Sequence, residues 1–336
     1  MIGPETSLAP ARAVRRAVLL AAAAALLSGP AVAQGTAGPW PQRQVLVVVP
    51  FTAGGTTDMF GRIFAQAMQE KYGKPFVVEN KAGAGGTVGA AAVSLAAPDG
   101  YTLLVGTAST HAIAPYVYKR TGYDAETAFQ PISLFAQLPN LLVVATKMPV
   151  KTFPEFLAYV KANSGKLSYG SSGVGASNHL PGEMVQNITG SKMAHVPYRS
   201  SSDIMNAIAG GHIDLAFDNI TLAWPQAEAG TVRAIAVTSK DRSPTAPDVP
   251  AIAETVPGFD IATWHGLFAP AGTPRPIVDQ IAADVMRIYS TPDVQAKLKA
   301  VGAVAAPNTP DAFEAFAKTE RAKYKDIVAQ AGLTPQ

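Results

Sequence analysis

A strand that runs into a glycine turn and then a helix is the feature that most constrains the fold of this 336-residue chain. Residues 47–49 are all valine, and residues 54–58 supply two glycines followed by three residues of types that favour helix N-caps. Apolar residues then recur at helical spacing from Met59 to Met68. A helix that begins directly after a strand leaves backbone N–H groups free, and these donors suit an anion. The turn has neither the lysine of a phosphate-binding loop nor a nucleophile elbow, so we predict that it binds a small anion without reacting with it.

Residues 1–33 have the features of a secretion signal. Three arginines precede an apolar run over residues 17–27, which is too short to span a bilayer comfortably, and a small-x-small pattern follows at residues 31–33. We predict cleavage between Ala33 and Gln34 and export by the general secretory route, to the periplasm if the source is a Gram-negative bacterium. The alternative is a retained membrane anchor.

Composition excludes several classes of function. The sequence has no cysteine, which excludes disulfides, thiolate metal sites and a lipid-modified cysteine at the cleavage point. Its five histidines form no pair with the short spacing of metal ligands, so we predict no metal site. The formal charge is +3, and without residues 1–33 there remain 24 basic and 23 acidic residues, so nothing indicates a nucleic-acid-binding surface.

The glycine-rich stretch at residues 81–89 resembles a dinucleotide-binding fingerprint but does not meet its spacing. With Gly83 and Gly85 as the first two glycines, the third position falls on Val88. No clear ribose-binding acidic residue follows. We interpret the stretch as a turn with close helix packing and predict no cofactor.

Strand and helix candidates alternate along the rest of the chain. Near-continuous runs of valine, leucine and isoleucine are typical of strands covered on both faces. The predicted strands cover residues 44–49, 76–79, 101–106, 141–145, 194–197, 213–217 and 232–238. The predicted helices cover residues 154–162, 202–209, 276–288 and 311–329. This alternation predicts an α/β protein whose sheets are mostly parallel and flanked by helices.

Two further turns follow predicted strands, where open α/β sheets bind their ligands. Residues 106–111 offer small hydroxyls and free backbone donors, and residues 169–179 form a second turn rich in glycine and serine. Neither Ser171 nor Ser172 lies in a Gly-x-Ser-x-Gly elbow, although a hydrolase that uses Ser172 and His179 stays an alternative.

The sequence allows more than one role for each of two polar residues. Asp218 ends an apolar strand and could bind a ligand amine, position a water molecule or cap the next helix. Arg199 could contact a ligand or be a solvated surface charge.

Motifs along nearly the whole chain after residue 33 resemble, in order, one known family. They lie at residues 50–58, 78–86, 98–103, 169–173, 179–180, 196–198, 217–219, 247–250 and 266–274. The family is that of the Bug (TctC-type) substrate-binding proteins of tripartite tricarboxylate transporters. The resemblance implies a two-domain, type II-like periplasmic-binding-protein fold with a ligand cleft between the domains. It places a discontinuous first domain at residues 34–141 plus 263–336 and an inserted second domain at residues 142–262.

The resemblance also implies a function. Family members bind a small carboxylated molecule, such as a di- or tricarboxylate, an aromatic acid or an amino acid, and deliver it to membrane permease subunits. Carried over by position, the first carboxylate-binding turn comprises Phe51, Thr52, Ala53, Gly54, Thr56 and Thr57, and the second turn contributes Thr107 and Ser109. The candidates for the far side of the ligand are Asn140, Ser172, Ser177, His179, Tyr198 and Asp218.

Two departures from the family pattern affect ligand identity rather than the fold. Residues 199–202 read Arg-Ser-Ser-Ser where the family more often has Lys-Gly-Ser, and His265 occupies a position that is more commonly apolar or aromatic.

We expect a monomer that closes its two domains over the ligand, with a hinge near Leu141 and Ala262. Two other functions stay open at this stage. One is a binding module that presents its ligand to a membrane histidine kinase, and the other is the exported serine hydrolase.

Overall fold

The computed structural model describes residue 3 and residues 39–335. The chain divides into two compact units, residues 1–40 and residues 41–336, and all the described helices and strands lie in the second. The predicted signal peptide and its cleavage point fall outside the described residues, Gly3 apart.

The second unit alternates strands and helices, as the sequence predicts. The described strands are β1 (Val45–Val49), β2 (Phe76–Asn80), β3 (Thr102–Thr107), β4 (Phe129–Val144), β5 (Ser168–Ser171), β6 (Ala194–Pro197), β7 (Leu215–Asn219), β8 (Arg233–Val237), β9 (Ala262–Pro270) and β10 (Val304–Ala305). The described α-helices are α1 (Thr56–Tyr72), α2 (Thr87–Ser94), α3 (Ala114–Val117), α4 (Phe153–Ala162), α5 (Leu180–Thr189), α6 (Ser201–Ala209), α7 (Ile220–Glu228), α8 (Arg275–Tyr289), α9 (Pro292–Ala300) and α10 (Pro310–Gln330).

One half of the unit is built on the strand order β2-β1-β3-β9-β4, with β10 on the outer side of β4. Strands β2, β1 and β3 are parallel, whereas β9 runs antiparallel to both β3 and β4. Helix α1 packs against this sheet through Phe60, Phe64 and Met68, which are fully buried. These are the apolar positions whose spacing predicted the helix.

The other half repeats the parallel arrangement in the order β7-β5-β6, with α6 and α7 among its helices. The final five residues of β4, residues 140–144, pair antiparallel with β7 on one side and largely with β8 on the other. Both halves contain parallel strands flanked by helices, as predicted. Among the described strands, however, four pairings are parallel and five are antiparallel, so the sheets are mixed where mostly parallel sheets were predicted.

The long strand β4 connects the halves. Residues 129–139 pair with β9, and pairing changes to β7 at Asn140. The return connection leaves β8 and re-enters the first half at β9, where Ala262 pairs with Pro139. This change of partners lies within two residues of the predicted domain limits at Leu141 and Ala262, although those limits themselves stay a prediction.

The sequence did not predict the first twelve residues of β4 or any of β9 as strand. Pro131 and Pro139 lie within β4, and proline in a sequence normally argues against a strand interior. The register with β9 shifts at two bulges in this part of the strand. Pairing on a neighbouring strand thus overrides the local sequence signal.

The glycine-rich stretch at residues 81–89 forms a tight turn and the first three residues of α2, in agreement with its interpretation as a turn with close helix packing. A Cβ atom on Gly89 would lie 2.8 Å from the Lys81 carbonyl oxygen, so no larger residue fits without a shift.

Candidate functional site

A polar cavity lies where the carboxyl ends of strands from both halves meet. Its empty space is about 470 Å³, open solvent at its mouth included. Hydroxyl groups and backbone amides dominate its walls. The lining residues are Phe51, Thr52, Gly55, Thr56, Thr57, Thr107, Ser109, Ser172, Ala176, Ser177, Asn178, Arg199, Ser200, Ser201, Asn219, Thr263 and His265.

The buried carboxylate of Asp58 holds the turn between β1 and α1. Its Oδ2 accepts hydrogen bonds from the Gly54 N–H (3.0 Å) and from Arg62 Nε (2.8 Å). Its Oδ1 accepts from Asn80 Nδ2 (2.9 Å), which also donates to the Phe51 carbonyl (3.0 Å). Burial alone would raise the pKa of Asp58, but the hydrogen bonds from Arg62, Gly54 and Asn80 bring it below its usual value. The charged carboxylate therefore fixes the turn in one conformation.

Helix α1 points its first turn at the cavity. Its N-cap residue, Gly55, has no side chain to accept hydrogen bonds from the first helical amides. Those N–H groups also have no partner within the helix, because hydrogen bonds in an α-helix begin only after its first turn. Since Gly55, Thr56 and Thr57 line the cavity, the donors and the positive end of the helix dipole are available to an anion there.

The opposite wall is organised by Asp218, which is fully buried. Its Oδ1 accepts hydrogen bonds from Asn178 Nδ2 (3.1 Å), Ser201 Oγ (3.0 Å) and the Asn219 N–H (2.9 Å). Burial raises the pKa of Asp218 to about 6, and these three hydrogen bonds oppose the rise. All three donor residues line the cavity, so Asp218 positions the wall from behind.

Direct hydrogen bonds join the two walls. Thr52 Oγ1 donates to the Arg199 carbonyl (2.7 Å), and the Ser177 N–H donates to Ser109 Oγ (3.0 Å). The hydroxyl of Thr56, which lines the cavity, lies 2.6 Å from that of Thr221 in the opposite half. The two halves are therefore in contact around the cavity.

The structure brings eight of the fourteen predicted site residues to the cavity wall. Ala53 and Gly54 belong to the first turn but do not line the cavity, and Tyr198 is likewise absent from its walls. Asn140 lies behind the wall, where its Nδ2 donates to the Ser177 carbonyl (3.1 Å). The role of each residue in binding stays a prediction. The eight predicted residues that line the cavity are Phe51, Thr52, Thr56, Thr57, Thr107, Ser109, Ser172 and Ser177.

The two predicted residues with acid–base chemistry also lie away from the cavity. Asp218 supports the wall as described, and His179 precedes α5 with its Nε2 3.5 Å from Glu183 Oε1. Ser172 Oγ instead accepts from Asn178 Nδ2 (3.1 Å), so the serine and histidine of the alternative hydrolase do not form a pair. A different pair does form, between Ser171 Oγ and His195 Nε2 (2.6 Å), but Ser171 is fully buried and neither residue lines the cavity.

Nine lining residues were not among the predicted site residues. Gly55, Asn178 and Asn219 lie within motifs that the sequence singled out, so proximity to a motif could have identified them. Arg199 and His265 were recognised as departures from the family pattern, and Arg199 also as a residue that could contact a ligand. Ala176 lies within the turn at residues 169–179, and Ser200 and Ser201 lie within the departure at residues 199–202. Thr263 is the one of the nine without a local signal, since its position depends on how the halves pack.

Neither a membrane-spanning helix nor a cluster of metal-ligating side chains occurs in the described part of the chain. Within residues 39–335, no helix has the length and apolar character needed to cross a membrane. The same described residues contain no cluster of three or more potential metal-ligating side chains.

A family model matches most of the chain. The model of the tripartite tricarboxylate transporter family receptor, TctC, covers residues 60–333. The Bug (TctC-type) resemblance of the motifs is thereby confirmed.

Solved structures of similar proteins share the fold over nearly their full length. The R. palustris protein Rpa4515, solved with adipate, is 36% identical with a TM-score of 0.85, over 88% of this chain and 100% of that one. The periplasmic binding protein BugD is 37% identical with a TM-score of 0.84, over the same shares of the two chains. MatC from Rhodopseudomonas palustris, solved with malate, is 34% identical with a TM-score of 0.81, over 86% of this chain and 100% of that one. The predicted α/β, two-domain periplasmic-binding-protein fold is confirmed by these similarities.

Proposed function

Because the chain belongs to the Bug (TctC-type) family of tripartite tricarboxylate transporter receptors, we propose that it captures a small carboxylated metabolite in this cavity and delivers it to membrane permease subunits. The observation that carries the proposal is the first turn of α1. Its free amides and hydroxyls face the cavity, and the similar proteins Rpa4515 and MatC were solved with adipate and with malate.

The first carboxylate of the ligand binds at the turn before α1. Backbone amides of residues 55–57 and the hydroxyls of Thr56 and Thr57 supply donors for both oxygens. A carboxylate only accepts hydrogen bonds when ionised, so a wall of donors at a helix N-terminus matches its chemistry. Asp58 keeps these donors in place before the ligand arrives, which reduces the ordering cost of binding.

Arg199 supports a ligand with a second anionic group. Among the described lining residues, it carries the one side chain with a full charge at neutral pH, since His265 is buried and uncharged. It belongs to the half opposite α1. A dicarboxylate would therefore place one carboxylate at the first turn and the other toward Arg199, and this ligand class is our proposal for the cognate substrate.

Binding couples to movement of the two halves about the predicted hinge. Thr238 holds together the two segments that connect the halves. Its Oγ1 accepts a hydrogen bond from the Asn140 N–H (2.9 Å) and donates one to the Ile261 carbonyl (2.7 Å). The hinge near Leu141 and Ala262 adjoins this contact. Closure would remove water from the carboxylate and strengthen its hydrogen bonds.

The protein acts as a binding protein without turnover, as a monomer in the periplasm after loss of residues 1–33. Such a receptor needs no nucleophile. The two alternatives, a sensory module for a histidine kinase and an exported hydrolase, differ from this proposal in partner or in product, and experiment separates them.

The first experiment is a thermal-shift screen of residues 34–336 against mono-, di- and tricarboxylates, aromatic acids and amino acids. A ligand at a hundredfold its Kd adds about 2.7 kcal/mol of stability, which is readily detected. We expect a shift with one class of carboxylate, and no shift with any carboxylate would refute the carboxylate proposal. Recovery of the unchanged ligand after long incubation supports a binding protein, whereas a hydrolysed product supports the hydrolase.

A second experiment addresses delivery and export. Mass spectrometry of the protein secreted from a Gram-negative host should show a mature chain that begins at Gln34. Uptake of the identified ligand should be lost when the gene is deleted. Normal uptake with a lost transcriptional response would instead indicate the sensory module.

A further inference from the structure

The histidine at position 265 contacts a hydroxyl that faces the cavity. His265 lies on β9, is 1% exposed, and packs its ring against Phe60 at a centroid distance of 4.9 Å. Its Nε2 is 3.1 Å from Thr57 Oγ1. Both residues line the cavity, and Thr57 is the second residue of α1.

The hydrogen bond can run in either direction, because a neutral imidazole has one N–H and one bare nitrogen. Burial lowers the pKa of His265 to about 3, so the ring is neutral at physiological pH. If the proton is on Nε2, His265 donates to Thr57. If it is on Nδ1, the threonine donates to the histidine.

The surroundings of Nδ1 favour the first arrangement. Nδ1 is buried and has no hydrogen-bond partner among the described residues. A proton on Nδ1 would therefore be a buried donor without an acceptor, which folded proteins tolerate less often than an unused acceptor. The proton on Nε2 avoids this and makes the hydrogen bond to Thr57.

This arrangement determines what Thr57 can offer a ligand. With its oxygen already accepting from His265, the Thr57 hydroxyl has its own proton left to donate. Thr57 Oγ1 contacts no other described hydrogen-bonding side chain, so the proton is available to the cavity.

We propose that His265 is a positioning residue that makes the Thr57 hydroxyl a donor to the ligand and so selects an acceptor, such as a carboxylate oxygen, at the first turn. The inference rests on the proposed function, since it deepens how the same site recognises its ligand. A ligand that presents an amine or amide N–H to the Thr57 hydroxyl places one donor against another, and its binding is disfavoured.

Nitrogen NMR tests the tautomer without any ligand. Two-bond ¹⁵N–¹H correlations distinguish imidazoles protonated at Nε2 from those protonated at Nδ1, and the spectrum of His265→Gln assigns the signal. We expect the Nε2–H form in the protein of residues 34–336. A signal of the Nδ1–H form would overturn the inference, whatever the protein binds.

A double-mutant cycle tests the effect on binding, with malate and adipate as probes and calorimetry as the readout. We expect His265→Phe to weaken binding about three- to tenfold, as for loss of one hydrogen bond. Added to Thr57→Val, the same substitution should cause no further loss, because the hydroxyl it positions is gone. His265→Gln retains an N–H group on a side chain of similar reach and should restore most of the affinity.

Other outcomes of the cycle contradict the inference. An equal loss in the Thr57→Val background would mean that His265 acts only by packing against Phe60. Tighter binding by His265→Phe would mean that the histidine withholds the threonine proton from the ligand. If the unaltered protein binds neither acid, the proposal of these ligands fails, and the NMR spectrum decides the tautomer separately. Thermal unfolding of each variant confirms that it is folded.

Discussion

Two residues that depart from the family pattern, Arg199 and His265, lie at the cavity, whereas most of the other lining groups are small and uncharged. The backbone amides at the start of α1 can accept any carboxylate, so they give affinity for an anion without selecting among acids. Selection must come from side chains that differ in charge or hydrogen-bonding direction. At the residue scale, ligand identity therefore depends on Arg199 and on the pair of Thr57 and His265.

Replacement of Arg199 by glutamine tests the second anionic group. We expect Arg199→Gln to weaken binding of a cognate dicarboxylate more than tenfold, since it removes the one full charge on the described cavity wall. Binding of the matching monocarboxylate should change less than threefold. Calorimetry with both acids gives the two ratios.

Arg120 provides the matched control, because it is an exposed arginine away from the cavity. Arg120→Gln should bind both acids as the unaltered protein does. An equal loss of both acids in Arg199→Gln would show that Arg199 does not face a second carboxylate.

At the scale of elements, two glycine turns from opposite halves come into close contact. Gly85 precedes α2 in the first half, and the Val174 carbonyl belongs to the turn after β5 in the second. Tyr118 Oη donates to the same carbonyl (2.5 Å). A Cβ atom on Gly85 would lie 2.8 Å from the Val174 oxygen, so the close contact requires glycine.

An alanine at position 85 should hold the halves apart. We expect Gly85→Ala to weaken ligand binding at least fivefold and to increase the radius of gyration of the ligand-bound protein in small-angle X-ray scattering. The added methyl group meets a backbone carbonyl, which cannot rotate away as a flexible side chain would. Tyr118→Phe, which removes the hydroxyl donor at the same contact, should weaken binding less.

Gly73 is the control for backbone strain. It has the same φ of +63° as Gly85, at the end of α1, but nothing lies within 4 Å of its added Cβ atom. Both alanine variants should lose about 1 kcal/mol of stability, because alanine is strained in the left-handed region. Only Gly85→Ala should lose affinity, and equal affinities would refute a link between this contact and closure.

At the scale of the whole molecule, buried histidines make the fold sensitive to acid. Burial, with a smaller contribution from Arg321, lowers the pKa of His111 to about 3. Burial likewise lowers the pKa of His265 to about 3. The unfolded chain, with ordinary histidine pKa values near 6.5, therefore binds protons that the folded protein excludes between about pH 6.5 and pH 3. Asp218 acts in the opposite direction, since its raised pKa of about 6 favours the folded state when this carboxyl is protonated.

Stability should fall as the pH drops from 7 to 5. Each of the two fully buried histidines contributes a loss of about 2 kcal/mol over this interval. Urea unfolding at both pH values measures the total. His111→Phe removes one of these groups while retaining an aromatic ring beside Phe268, so its loss should be about 2 kcal/mol smaller.

The exposed histidine at position 212 serves as the comparison. His212→Gln should keep the pH dependence of the unaltered protein. If His111→Phe also keeps it, burial of His111 does not cause the acid sensitivity. Ligand binding at pH 7 should survive in His111→Phe, because His111 does not line the cavity.

The sequence by itself determined those features whose cause is local. The strand, turn and helix around residues 47–68 follow from apolar spacing, two glycines and N-cap residues, and the structure contains β1 and α1 at this place. The order of motifs determined the family in the same way, because each motif is a short continuous segment.

Only the tertiary structure decided which side chains reach the cavity and which stand behind it. Asn140 lies in β4 and Asp218 lies in β7, and both side chains are completely buried in the folded protein. Thr263 and His265 reach the cavity from β9, a strand held by pairing with β3 and β4. Long-range pairing and the contact between the halves set these positions, and neither leaves a periodic signal in the neighbouring sequence.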